Sequence, residues 1–402
     1  MRTFNFVVLA ILGLFFAACD DDDHLGDWAK ATQFSGAPRE AAVCFTDPTT
    51  GTVFVALGYG ARSEEFSDMY EFNGSTWSKV EDAEFPAPYN PLPANPSEGS
   101  SLENNGRGRH SAVAFVIGDY AYVGLGYVTA FNGYLNNNGD PNDQKLIDRD
   151  RTFFKDFYRF NMKTKKWEDN ITPFPGDARR DAVAFSDGTS GYVGTGFGYN
   201  NRVYRDFYKF NPEGRGEGGT IGSWESMDAL GDARYGATAF VINNAAYVCL
   251  GTNSTTGVGG GGYVLDVVKF DFATQKWTAM GALTDKPGVK QDKDYGRIPR
   301  AYAISFISDK GKDNEPYAYI ACGQNNQRTV WKYNHKKDQW HQMEDLSRYA
   351  NAPVIAGVGF SYGGYGYYAT GGSAVDGSNT SYFFIESWRF IPDVKEDRAN
   401  DY

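Results

Sequence analysis

One unit of three short sequence signals recurs along the chain, and this repeat limits the possible folds more than any other feature. The first signal is an Arg placed six residues before a Phe, with small and β-branched residues between them. The arginines of this signal are Arg39, Arg109, Arg179, Arg234 and Arg300. Residues of those types suit a crowded strand. A repeat of this kind predicts an array of equivalent structural units rather than several unrelated domains.

The second and third signals each occur in six units. The second is an aromatic, an aliphatic, a small residue, any residue and Gly, at 54–58, 122–126, 192–196, 247–251, 319–323 and, with Tyr for the aliphatic, 367–371. Its Gly permits the backbone angles of a turn and so ends a strand. The third signal alternates apolar and polar residues at 68–72, 156–160, 206–210, 266–270, 329–333 and 386–390. Alternation with a period of two predicts a strand with one buried face.

A Trp follows the third signal in every unit except the last. These residues are Trp77, Trp167, Trp224, Trp277 and Trp340, whereas Trp28 lies before the first Arg. We therefore expect the segment 28–32 to supply the outer strand of the last unit, so that the two ends of the chain close a ring. Closure removes exposed sheet edges. The composition agrees, because 16% aromatic residues and 47 Gly suit short strands joined by tight turns.

The Gly-ended second strand, the Tyr-x-Phe-Asn third strand and the spaced Trp residues resemble the kelch-repeat family, which includes the central domain of galactose oxidases. The resemblance covers residues 28–392. It implies an all-β, six-bladed kelch-type β-propeller at 27–392, followed by a polar C-terminal tail at 393–402. The sequence departs from the family in that most units have one Gly where kelch repeats usually carry a pair. Among the glycines that end the second signal, only Gly371 is followed by another Gly, Gly372.

The N-terminus combines a short apolar run at 4–16 with Ala17, Ala18 and Cys19. The run is too short for a comfortable membrane span. It resembles a bacterial lipoprotein signal peptide, which implies a signal at 1–18, a lipidated Cys19 and an acidic tether at 19–26. An ordinary secretory signal or a short anchor helix is the alternative. The resemblance implies a Gram-negative cell-envelope protein, which we expect at the outer membrane, with inner-membrane retention left open.

Composition also limits the partners and the chemistry. A net charge of −11 argues against nucleic acid and against an anionic membrane surface, so we expect membrane contact through the lipid anchor only. The other cysteines, Cys44, Cys249 and Cys322, are odd in number and are expected to be core residues rather than a disulfide framework. The positions of the four His offer no three-His metal site, and no nucleophile elbow or phosphate loop occurs. We predict no metal, no cofactor and a monomer.

The candidate binding face is one end of the predicted ring. At this end the repeated Arg begins the strand of each unit that lies nearest the axis of the ring. Five guanidinium groups around the axis would attract carboxylate or sulfate groups. The alternative is that each Arg pairs with a carboxylate or carbonyl of its own unit. Four long connections, 85–108, 127–151, 252–262 and 283–299, belong to the same face, whereas only 212–223 is comparably extended on the other face.

Two further sets of residues on this face vary in chemistry and are candidates for specificity. The residues directly after the arginines are Glu40, His110, Arg180, Tyr235 and Ala301. The connections add the aromatic residues Tyr127, Phe131, Tyr134, Phe197, Tyr199 and Tyr204. Aromatic rings there could stack on sugars or peptide side chains, or they could pack only within their own loops.

These features favour a binding module for a glycan or a partner protein, with an acidic ligand as one option. The alternative is a sugar epimerase or mutarotase, since kelch propellers that epimerise sialic acid need only acid–base groups and an Arg for the carboxylate. His110 or Glu40 could then take the proton-transfer role. A purely structural role in the envelope is the third reading, and enzymatic activity is the less favoured one.

Overall fold

Six four-stranded antiparallel sheets and two smaller ones make up the described part of the chain, which contains no α-helix. The computed structural model describes residues 24–61, 64–86, 108–128, 153–229, 231–255, 262–285, 294–325, 328–346, 354–373, 382–397 and 399. The signal peptide, Cys19 and most of the tether predicted from the sequence lie outside these residues. The chain is all-β, with an arrangement of sheets consistent with a β-propeller-like fold.

Five of the large sheets are meanders, in which strands that are neighbours in the chain are also neighbours in the sheet. Sheet 1 contains Val43–Thr46, Val53–Ala56, Met69–Phe72 and Trp77–Lys79. Sheet 2 contains Val113–Ile117, Tyr120–Gly124, Phe157–Asn161 and Lys166–Glu168. Sheet 3 contains Val183–Ser186, Gly191–Gly194, Phe207–Arg215 and Ile221–Met227. Sheet 4 contains Thr238–Ile242, Ala245–Cys249, Val267–Asp271 and Lys276–Ala279. Sheet 5 contains Ile304–Ser308, Tyr317–Ala321, Val330–Asn334 and Gln339–Met343.

Sheet 6 combines the two ends of the chain. Its first three strands are Val358–Tyr362, Tyr365–Ala369 and Ser387–Ile391. The fourth strand is Asp27–Lys30, which pairs antiparallel with Ser387–Ile391 so that Trp28 lies opposite Phe390. The N-terminal segment thus occupies the position that Trp-bearing strands occupy in the other sheets.

The smaller elements lie in the connections. One two-stranded sheet joins Tyr59–Gly60 to Glu64–Glu65, and a three-stranded sheet contains Arg179–Arg180, Phe197–Gly198 and Arg202–Val203. Short 3-10 helices span Tyr199–Asn201, Glu217–Gly219 and Tyr295–Arg297. No helix in the described ranges is long and apolar enough to cross a membrane.

The first two sequence signals meet as a stacked aromatic pair in each large sheet. The Phe of the first strand and the aromatic residue of the second are cross-strand partners, as in Phe45 and Phe54, whose ring centroids are 5.4 Å apart. The equivalent pairs are Phe115–Tyr122, Phe185–Tyr192, Phe240–Tyr247, Phe306–Tyr319 and Phe360–Tyr367. Stacked pairs of this kind stabilise a sheet beyond the apolar area they bury.

Each stacked pair also packs against a third-strand aromatic residue of the next sheet, so the core lies between sheets. Phe45 and Phe54 contact Phe160 of sheet 2. At the other end of the chain, Phe360 and Tyr367 of sheet 6 contact Phe72 of sheet 1. The alternation of the third signal is therefore explained, because its aromatic position is the one buried against the neighbouring sheet.

Candidate functional site

The repeated arginines are buried and hydrogen-bonded within their own sheets. Arg39 is fully buried and contacts both carboxylate oxygens of Asp68, which begins the third sequence signal, with Nη1 at 2.5 Å from Oδ1. The same Nη1 donates to the carbonyl of Leu57 at 3.0 Å. Equivalent ion pairs are Arg109–Asp156, Arg179–Asp206 and Arg234–Asp266.

Arg300 differs because its unit has Thr329 where the others have Asp. Its guanidinium donates to the hydroxyl oxygen of Thr329 at 2.6 Å and to the carbonyls of Cys322 and Ile298. Burial lowers the pKa of Arg300 to about 10. Burial also lowers the pKa of Arg234 to about 10, although Arg234 has a carboxylate partner, so the lowered pKa does not follow from the replacement of Asp by Thr329.

Aromatic rings cover the arginines as well. Tyr204 lies 3.8 Å from the guanidinium carbon of Arg179, and Phe66 lies 4.0 Å from that of Arg39. Tyr204 is thus part of the packing around Arg179. The guanidinium groups do not line an open mouth, which corrects the arginine ring expected from the sequence and agrees with the alternative of pairing inside each unit. The physical reason is that a buried guanidinium needs a carboxylate or several oxygens beside it.

The residue after each Arg lies at the start of the innermost strand and pairs with the residue after the turn Gly. Glu40 and Tyr59 exchange two backbone hydrogen bonds of 2.9 Å, and His110 and Tyr127 do the same at 3.1 and 2.9 Å. We call this set the first tier: Glu40, His110, Arg180, Tyr235, Ala301 and Ile355. Because antiparallel pairing fixes all six at the same end of their sheets, residues of different chemistry are brought to one level.

The next residue of each unit forms a second tier: Ala41, Ser111, Asp181, Gly236, Tyr302 and Ala356. Every one has a φ between 51° and 59°, the left-handed region. Each N–H donates to the second-tier carbonyl of a neighbouring unit at 2.8 to 3.1 Å, and the six bonds form a closed cycle. Non-Gly residues adopt this conformation at a cost of roughly 1 kcal/mol each, which the hydrogen-bonded cycle offsets.

A cavity of about 170 Å³ opens at the second tier. The residues that follow the second tier line it too, and all of them are small: Ala42, Ala112, Ala182, Ala237, Ala303 and Gly357. The same six residues border a deeper space of about 260 Å³ between the first strands of the sheets. Small side chains at the innermost position therefore leave the axis open, and the tiers above form its mouth.

A tyrosine crosses this mouth. The hydroxyl of Tyr302 donates to Oδ2 of Asp181 at 3.0 Å, although the two residues belong to sheets that have sheet 4 between them. The ring passes close to Gly236 of sheet 4, where a Cβ would lie 3.0 Å from it, a tighter contact than most side chains make. Nε of Arg180 lies 3.5 Å from the same carboxylate oxygen. Asp181 is thus oriented from two sides.

Aromatic side chains surround the polar members of the first tier. The His110 ring lies between Tyr59 and Tyr127, with centroids 5.1 and 5.4 Å away. The guanidinium carbon of Arg180 lies 4.9 Å from the centroid of Tyr127. Phe153 connects Tyr127 to Tyr199 at 4.9 and 4.8 Å. The candidates Phe131 and Tyr134 lie outside the described residues.

The mouth is divided into two arcs. Glu40, His110 and Arg180, from sheets 1 to 3, form a polar arc together with Ser111 and Asp181 of the second tier. On the other side, Tyr235, Ala301, Tyr302 and Ile355 form one apolar cluster, against which Phe197 and Tyr263 pack. Sequence reasoning missed Ser111, Asp181 and Tyr302. Their signal is position, because each follows a repeated Arg by two residues and varies between units.

No protein-family model and no curated protein sequence matches this chain. Within the described ranges, no group of three or more His, Cys, Asp or Glu side chains is placed to hold a metal ion. The function must therefore be argued from the mouth itself.

The cysteines of the second strands give a direct test of the packing around the axis. Cys249 and Cys322 are buried, and burial raises the pKa of each thiol to about 12 from an ordinary value of 9.0. Because the thiolate is the reactive form, alkylation at mildly alkaline pH should be about 1,000-fold slower than for an exposed thiol. We expect peptide mass spectrometry after iodoacetamide treatment to find both residues unmodified in the folded protein and modified in urea. A rapid adduct on either residue in the folded protein would contradict the packing.

Proposed function

We propose that the chain is a six-bladed β-propeller of the kelch type, with each large sheet as one blade. Two hydrogen-bond cycles support this architecture. One is the second-tier cycle described above. In the other, the N–H of each turn Gly donates at 2.8 to 2.9 Å to a carbonyl in the next unit, from Gly58 to Arg109 onward and finally from Gly371 to Arg39. Val354 takes the place of Arg in the sixth unit and accepts the bond of Gly323. The pairing of Asp27–Lys30 with Ser387–Ile391 supports closure by the N-terminal strand.

The protein acts, on this proposal, as an exported binding module that is anchored to the envelope, at the outer membrane, through a lipidated Cys19. The resemblance of residues 1–19 to a lipoprotein signal supports this location. The anchor serves only for attachment, so the propeller is the part that binds the ligand. Propellers commonly have a ligand site where the blades converge.

The mouth recognises a glycan. The proposal rests on a contrast between the residues of the two tiers, which vary from unit to unit, and the neighbouring Arg, Phe and Gly, which hardly vary. The repeated Arg, Phe and Gly are nearly constant because each serves its own blade. The first and second tiers occupy equivalent positions in six units, yet they contain an acid, a base, an imidazole, phenols and aliphatic groups. Architecture alone does not require this variety. Hydrogen-bonding side chains between aromatic rings, above an open cavity, suit a polyhydroxylated ligand.

An array of glycans and peptides, probed with the purified protein, tests the proposal. Arg180→Ala should lower binding to the recognised glycans by at least tenfold, because it removes the cation of the polar arc, whose side chain is 14% exposed. Lys163→Ala is the matched control, since it also removes one cation but lies in the turn after Phe157–Asn161, at the opposite end of its sheet. Glycan binding that Arg180→Ala leaves intact, or binding to peptides alone, would refute a glycan site at the mouth.

A further inference from the structure

We infer that the ligand of the mouth is an uncharged sugar ring, held through its hydroxyl groups by Asp181 and stacked on Tyr302, rather than an acidic group drawn in by arginine. This inference rests on the proposed function, because it takes the mouth to be a glycan site. It names the chemical class of the sugar and the residues that select it.

The balance of charge at the mouth argues against an acidic ligand. Four of the five repeated arginines are paired with an Asp of their own sheet. Among the described residues of the two tiers, Arg180 is the one cation, while Glu40 and Asp181 are two carboxylates. A carboxylate on the sugar would come close to that of Asp181, whose Oδ2 lies 3.5 Å from Nε of Arg180, so this one guanidinium would have to serve both carboxylates. An uncharged ligand has no such cost.

Asp181 and Arg180 together match the hydrogen-bonding pattern of a sugar hydroxyl. The carboxylate of Asp181 can only accept, and the guanidinium of Arg180 can only donate. A hydroxyl group does both at once, so it can donate to Asp181 while accepting from Arg180. The bond from Tyr302 fixes the carboxylate in the orientation that such recognition needs.

The apolar arc offers a surface on which the other side of the ligand packs. A pyranose presents C–H groups on its faces, and these pack on aromatic rings. The Tyr302 ring lies over Gly236 at the edge of the cavity and belongs to the apolar cluster with Tyr235 and Ile355. The cavity of about 170 Å³ is close to an engineered cavity of about 150 Å³ that holds a benzene ring. It has room for one small ring.

Matched pairs of small sugars test this inference. Methyl glucopyranoside and methyl galactopyranoside are compared with the corresponding uronic acids, which differ only in a carboxylate at C6. We expect saturation-transfer NMR and titration calorimetry to detect at least one neutral glycoside and to find its uronic acid bound at least tenfold more weakly. Affinity for the neutral sugar should change less than twofold when salt is raised.

Three variants assign the contacts. Asp181→Asn keeps the shape of the side chain but loses its charge, and we expect at least a tenfold loss of affinity for the neutral glycoside. Tyr302→Phe keeps the ring and removes the hydroxyl, so it should cost about threefold by releasing Asp181. Tyr317→Phe is the control, since the hydroxyl of Tyr317 also donates to an Asp, Asp313. This pair lies near the turn that joins the first two strands of sheet 5. Tyr302→Phe also covers the case in which Asp181→Asn fails to fold.

The outcomes separate this inference from the proposed function. Tighter binding of the uronic acids, weakened by salt and by Arg180→Ala, would overturn the neutral-sugar assignment and leave the mouth as a glycan site. Neutral binding that Asp181→Asn and Tyr302→Phe do not change would overturn the assigned contacts. Absence of binding to either class, together with a silent glycan array, would refute the proposed function as well.

Discussion

Replacing Asp206 with Ala should lower the free energy of unfolding by about 3 kcal/mol. Asp206 contacts both terminal nitrogens of Arg179, whose side chain has no exposed surface. The substitution leaves the guanidinium inside sheet 3 with the carbonyls of Asp177 and Thr195 as its remaining partners. An uncompensated buried charge costs far more than the loss of an exposed pair. Urea unfolding, followed by tryptophan fluorescence, measures the difference.

Asp177→Ala is the control for this prediction. Asp177 pairs with Arg202 at 3.0 Å, and the two side chains are 57% and 67% exposed. Pairs of this kind contribute less than about 1 kcal/mol, because water solvates both partners once the pair is broken. If both variants unfold at the same urea concentration, Asp206, whose side chain is 36% exposed, would not have the structural importance that we assign to it as the partner of the buried Arg179.

The all-β class and the repeated antiparallel sheets could be predicted from the sequence because its signals are local and repeated. Each of the three signals corresponds to one strand or strand end, and the aromatic positions of the first two form the stacked pairs. What the sequence does not contain is which side chains meet between neighbouring sheets. That arrangement depends on contacts between units, such as Phe72 against Phe360, which are far apart in the chain. The strand Phe207–Arg215 is also longer than the sequence predicts, because the third signal of this unit ends at residue 210.

The candidate site could be predicted only in part. The variable residues after each Arg do lie together, so Glu40, His110 and Arg180 share one level at the mouth. The sequence left the role of the repeated Arg open between a ligand site and a pair within its own unit. Its partner was visible in the sequence, since Asp68, Asp156, Asp206 and Asp266 begin the third signal in the same units that have an Arg. Sequence alone could not show that the two positions meet, because pairing depends on how the second and third strands align.

The contact between Tyr302 and Asp181 could not be inferred from spacing at all. It joins residues that are 121 positions apart, and the Tyr302 ring passes close to Gly236 of the unit between them. A repeat predicts what its units share. The contacts that give a site its chemistry arise where units differ, and they become apparent only in the three-dimensional structure.

Trp28→Ala should be the second strongly destabilising substitution, with an expected loss of about 3 to 5 kcal/mol. Trp28 is almost fully buried, and its ring lies 4.9 Å from Phe390, 5.7 Å from Tyr368 and 6.0 Å from Phe306. The first two partners belong to sheet 6 and the third to sheet 5. A cavity at this position would therefore weaken both the pairing of Asp27–Lys30 with the last strand and the packing of sheet 6 on its neighbour.

Hydrogen exchange identifies the strands that lose stability in the Trp28→Ala variant. If the N-terminal strand closes a ring, Trp28→Ala should speed exchange first at the amides of Ser387–Ile391, and then in sheets 5 and 1, which flank sheet 6. Lys30→Ala is the control, because Lys30 is the exposed residue of the same strand. Faster exchange spread evenly over all six sheets would mean that the ring opens as one unit. Unchanged exchange at Ser387–Ile391 would show that the strand is not needed for closure, because the ring would then hold its last blade without help from the N-terminus.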